Sequence, residues 1–115
     1  MARQKTAPDD ETITRGTGNL FADLGYADAE ERQTKLRLAH AINGVIARKR
    51  LTQASTAAKL GVNQPKVSAL ANYKLDGFSV ERLMTFLTAL DQDVEIVIKK
   101  KARSRGAGRI SVVAA

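Results

Sequence analysis

A chain of 115 residues that is 43% apolar can close one domain's core, and with aromatics at 4% and no Trp that core must be aliphatic. The lack of Cys excludes disulfides, thiolate zinc sites and a Cys nucleophile, and the single His, His40, excludes any site needing two imidazoles from one chain. A net charge of +7 points toward an anionic partner, nucleic acid or lipid, and no apolar run is long enough for a membrane helix.

Residues 1–18 are polar and without periodicity, which predicts a disordered N-terminal tail; they also lack the apolar core of a secretory signal, so the expected location is cytoplasmic. The short patch NLFADLGY (19–26) is expected to pack Leu20, Phe21 and Leu24 onto the domain. Asp28 can cap a helix starting at Ala29 and running to about Lys49, with a stripe of Leu38, Ile42, Val45 and Ile46 at helical spacing. Gly44 inside that helix costs about 1 kcal/mol against Ala unless it admits a neighbouring helix. Thr52 can cap a second helix (53–60) that Gly61 ends, and Asn63 a third (64–72) with Pro65 tolerated in its first turn. YKLDG (73–77) reads as a loop, and Ser79 caps a fourth helix (80–90) rich in Val80, Leu83, Met84, Leu87 and Leu90. The period then changes from 3.6 to 2, so that Val94, Ile96 and Ile98 predict a short strand at 93–98. A flexible basic tail (99–115) follows, ending in the weak strand signal ISVVAA.

Charge is segregated along this order. Residues 32–75 carry Arg32, Lys35, Arg37, Arg48, Lys49, Arg50, Lys59, Lys66 and Lys74 with no acid, and acidic stretches lie on both sides. A solvated helix face ordinarily mixes signs in i,i+4 pairs, so a long acid-free stretch suggests an anion resting on it rather than chance segregation. The tail adds six bases and no acid, and reads as a DNA-tracking arm that lengthens the same field, or else as a solvated tail.

Two short helices joined by a tight Gly turn form the helix-turn-helix pattern. In LTQASTAAKLGVNQPKVSALAN, Ala57 lets the helices approach, Gly61 makes the turn, and Leu60, Val62, Val67 and Leu70 wedge the angle. The outer face of the third helix offers Gln64, Lys66 and Ala69, which can meet adenine, guanine and a thymine methyl respectively. Gln53, Ser68 and Asn72 can reach phosphate. The candidate DNA-contacting set is therefore Gln53, Asn63, Gln64, Pro65, Lys66, Ser68, Ala69, Asn72 and Lys74.

At these residues, over about 36–90, the chain resembles the Xre/Cro-like phage-repressor helix-turn-helix family. The matching pieces are LTQ, Ala57, LGV and KVSAL. QPKVSAL followed by GFSVERLMTFLTAL and DVEIVI resembles its small antitoxin-like branch, from about Asn19 to Ile98. The resemblance implies a helical DNA-binding core with a terminal strand, and a role beside a toxin gene. Two positions depart from the family: Thr56 stands where a larger aliphatic is common, and Tyr73 where Gly often ends the recognition helix.

The other features read as structure. His40 has no ligand cluster around it, and Phe78, Phe86 and Tyr73 are too few for a base-stacking platform, which favours core roles. Asp91, Asp93 and Glu95 lack the spacing of a calcium loop, and neither a phosphate loop nor a catalytic triad is present. The expectation is a mainly α protein, a compact helical bundle containing a helix-turn-helix, with a short C-terminal β-strand and disordered tails. The DNA-binding domain spans 19–98. No enzyme, cofactor or metal is expected. The expected function is a sequence-specific repressor of double-stranded DNA, the antitoxin of a toxin–antitoxin pair; the alternatives are an antitoxin acting mainly by toxin contact, or a non-specific nucleic-acid binder. An isolated strand needs a partner, so 93–98 is expected to pair antiparallel with a second subunit, seating Val94, Ile96 and Ile98 on the fourth helix. Such a homodimer would present two recognition helices to half-sites about 34 Å apart.

Overall fold

A computed structural model describes residues 26–114, with side chains from residue 29 onward; the expectations for the N-terminal tail and the 19–25 patch lie outside this range. The chain divides into two units, Met1–Arg32 and Gln33–Ala115. Of the first, only the opening turns of a helix are described. The second contains the core.

Among the described residues four helices follow in order: α1 (Tyr26–Lys49), α2 (Gln53–Leu60), α3 (Gln64–Ala71) and α4 (Val80–Ala89). The α1 helix starts at Tyr26, so Asp28 lies inside its first turn instead of capping it. The three later N-caps match the residues expected. Thr52 accepts from Ser55 N in a capping box, Asn63 accepts from Lys66 N, and Ser79 accepts from Arg82 N. Each satisfies an otherwise orphaned donor of the first turn.

All four helices leave by one backbone device. One of the first two residues beyond each helix takes a left-handed φ: Arg50 (54°), Gly61 (70°), Tyr73 (58°) and Asp91 (66°). The amide of the following residue then reaches back five residues, as in Leu51 N to Ile46 O (3.1 Å), Val62 N to Ala57 O (3.1 Å), Lys74 N to Ala69 O (2.9 Å) and Gln92 N to Leu87 O (3.0 Å). This is the Schellman motif, which normally puts Gly at the left-handed position. Here one of four does so.

The core is the expected aliphatic cluster. Leu38, Ile42 and Val45 of α1, Leu60, Leu70, and Leu83, Leu87 and Leu90 are buried together, joined by Phe78 and Phe86. Full burial of side chains such as Ile42, Leu83 and Leu90 is worth about 1.5–3 kcal/mol each. Phe78 and Phe86 meet edge to face at 5.8 Å. Tyr73, expected in the core, is 40% exposed. Gly44 does not admit a neighbouring helix: the nearest atom to a Cβ placed there is the guanidinium of Arg48 at 3.4 Å.

The expected strand at 93–98 is not formed, and no regular structure follows α4 among the described residues. Val94 packs partly on the core, but Ile96 and Ile98 are 73% and 93% exposed instead of lying on α4. The reason is that no second segment offers its backbone, and an unpaired strand has nothing to hold it. The basic tail is not free either. Lys101 Nζ donates to Arg105 O across a turn, and Val112 returns to the core, so residues 95–111 form a loop closed at both ends. Val112 and Ala114 line a shallow apolar depression with Leu36, Arg37, His40 and Ala41.

Candidate nucleic-acid interface

The α2–α3 pair is a helix-turn-helix in which three residues, 61–63, connect two eight-residue helices. Ala57 and Leu60 of α2 and Val67 and Leu70 of α3 are buried, and Val62 packs partly on the core. That wedge fixes the outward face of α3. Neither helix has an acid in its first turn, whereas α4 carries Glu81 there. The positive ends of α2 and α3 are therefore uncompensated, which suits phosphate.

Gln53 is exposed at the start of α2, and Gln64, Pro65 and Lys66 are exposed on the first turn of α3. Asn63 uses its Oδ1 to cap Lys66 N at 3.0 Å, leaving its amide nitrogen as the donor. Ala69, expected on the open face, is half-buried and packs against the core. Ser68 is half-buried, and Asn72 Nδ2 donates to its carbonyl at 2.9 Å. These two side chains thus brace the end of α3 and offer less to a phosphate than their types suggest. Lys74 is exposed just beyond the helix.

Lys66 is held in a way its position in the chain does not reveal. Its Nζ lies over the Phe78 ring, 4.9 Å from the centroid, and 3.5 Å from the carbonyl oxygen of Gly77. Phe78 is the core residue its type suggests and Gly77 closes the 73–77 loop; only that loop's return toward α3 unites the three.

The acid-free stretch is also less uniform than its composition. Lys49 Nζ pairs with Asp91 at 3.0 Å, linking the end of α1 to the end of α4. That hydrogen bond, then the Lys49 charge, holds the Asp91 carboxyl below its usual range, and Lys59 adds to the effect. Lys49 is thereby paired with an acid, while Lys66 and Lys74 have no acid partner among the described residues. At the far end of α3, His40 Nδ1 lies 3.4 Å from the Tyr73 hydroxyl, and Asn43 Nδ2 donates to Leu70 O at 3.2 Å. No group of three or more His, Asp or Glu side chains able to hold a metal occurs among the described residues, and none of their helices is long and apolar enough to cross a membrane.

A family described as a helix-turn-helix domain matches residues 20–99. A solved structure assigned to the XRE family of transcriptional regulators is 80% identical, covering 76% of this chain and 99% of its own, with a TM-score of 0.73. Comparison with curated proteins gave no match.

Proposed function

The chain belongs to the Xre family of helix-turn-helix proteins, and from that premise we propose that this DNA-binding regulator is a sequence-specific repressor acting as a homodimer in the cytoplasm. The observation that carries the reading is the α3 first turn: Gln64 and Lys66 stand exposed on a helix with no acid in that turn, braced by a buried wedge. In the major groove, Gln64 can pair bidentately with adenine and Lys66 can donate to guanine. Gln53, the Asn63 amide and Lys74 would hold phosphates, fixing register. The base-rich 99–109 loop would add sequence-independent attraction.

Selection of preferred duplexes from a randomised library tests this. Gln64→Ala and Lys66→Ala should each lose roughly 1–3 kcal/mol on the preferred duplex, with circular dichroism unchanged. Equal losses on random duplex would mean that neither residue reads sequence, and failure to select any preferred duplex would make the protein a non-specific nucleic-acid binder.

One recognition helix touches few base pairs, so dimerisation is needed for useful specificity. The exposed segment around Ile96 supports a particular arrangement. Two copies laid antiparallel with Ile96 facing Ile96 bring Val94 against Ile98 of the second copy and Asp93 against Lys99 of the second copy. A parallel arrangement would oppose like charges at both ends, which is destabilising. The homodimer contact is thus Val94, Ile96 and Ile98. Ile96→Asp should convert a dimer to a monomer in sedimentation and lower operator affinity more than any single base contact, since an unpaired carboxylate in such a seam is costly. A variant that stays dimeric would place the contact elsewhere.

A role as an antitoxin rests on the likeness of the whole 19–98 stretch to the antitoxin-like branch. Co-purification with the product of a neighbouring gene from native cells tests it, and a protein recovered alone would leave only the DNA-binding role.

A further inference from the structure

We propose that Gly77 and Phe78, outside the recognition helix, form a seat that positions the Lys66 ammonium for sequence discrimination; this rests on the DNA-binding role assigned to Lys66 above. A lysine on a helix surface ordinarily samples many rotamers, and its charge is a mobile point donor. Lys66 is different. Its ammonium sits over the face of the Phe78 ring at 4.9 Å, within the range where the ring quadrupole attracts a cation. The ring itself is fixed, because Phe78 is buried and packed edge to face on Phe86. The core therefore sets where the charge stands.

Gly77 completes the seat. Its carbonyl faces Nζ at 3.5 Å, and a Cβ added there would fall 3.1 Å from the same nitrogen. Gly77 does not have a positive φ, so the backbone does not demand glycine at this exposed turn. What a side chain would disturb is Lys66. An ammonium has three donors. With the ring beneath it and one donor toward Gly77, the others are free for a base edge. A donor already ordered loses less freedom on binding than a mobile one.

The test uses the full chain and two duplexes: the preferred sequence recovered by selection, and the same duplex changed at the base whose preference Lys66→Met abolishes. Gly77→Ala should reduce the ratio of affinities for the two by about fivefold, the lower end of one good base contact, without lowering Tm. In the Lys66→Met background Gly77→Ala should change nothing. Phe78→Leu should likewise reduce the ratio, and Phe78→Tyr, which keeps the ring, should restore it. In the free protein, proton NMR should show the Lys66 ε-methylene shifted upfield by the ring, and the shift should collapse in Phe78→Leu. An unshifted methylene, an unchanged ratio in Gly77→Ala, or equal losses on both duplexes would overturn the seat. Failure to recover any preferred duplex would instead overturn the sequence-specific reading on which it rests.

Discussion

The α2 and α3 helices are the same length, are both capped by a polar side chain at the start, and leave by the same hydrogen-bonded turn, yet they are stabilised differently. At the end of α2, Gly61 takes the left-handed position and Val62 anchors the exit on the core. At the end of α3, Tyr73 takes that position and exposed Lys74 follows it, so neither the glycine nor the apolar anchor is present. Side-chain amides act there instead: Asn43 donates to Leu70 O and Asn72 to Ser68 O. The proposed recognition helix α3 thus ends in polar clamps, and α2 ends in packing. Conversely, the buried imperfection lies in α2. Thr56 is fully buried, and its hydroxyl has no hydrogen-bond partner among the described residues.

Four substitutions probe this contrast. Thr56→Val removes an orphaned hydroxyl while keeping the shape, and should raise stability by about 1–3 kcal/mol in urea unfolding. A neutral or destabilising outcome would mean that the hydroxyl finds a partner. Gly61→Ala should lower stability by about 1–2 kcal/mol. No atom lies within 4 Å of a Cβ at position 61, so the loss would report backbone strain alone. Asn43→Ala should lose about 0.5–1.5 kcal/mol by removing the α3 clamp, and adding Tyr73→Gly should recover part of it. Recovery would show that a glycine exit and a polar clamp are alternative solutions; no recovery would mean that Asn43 matters for packing only.

The same contrast explains what could be read from the chain. Thr52, Gly61, Asn63 and Ser79 were legible because each solves a local problem with its own chemistry: a side-chain oxygen for orphaned amides, or a missing Cβ for a positive φ. Arg50, Tyr73 and Asp91 were not, because their φ is imposed by hydrogen bonds between flanking backbone groups. The core stripes of α1 and α4 followed their period. The strand at 93–98 failed for a different reason: alternation reports which faces a strand would have, not whether a partner exists to form it. Lys66 was identifiable as a candidate contact, but its seat was not, since Gly77 and Phe78 reach it only after the chain has turned twice. Ala69 was misplaced because one small residue on a short helix fits either face.

The repeated exit turn also has a consequence measured in time. The connection at 61–63 is three residues, so α2 and α3, which pack on each other, are neighbours close in the chain. Little loop entropy must be lost before their contacts form. Helical proteins dominated by such local contacts fold in microseconds to milliseconds. A newly made chain would therefore shield its apolar wedge almost as soon as α3 is free to close on α2, leaving little opportunity for aggregation during synthesis.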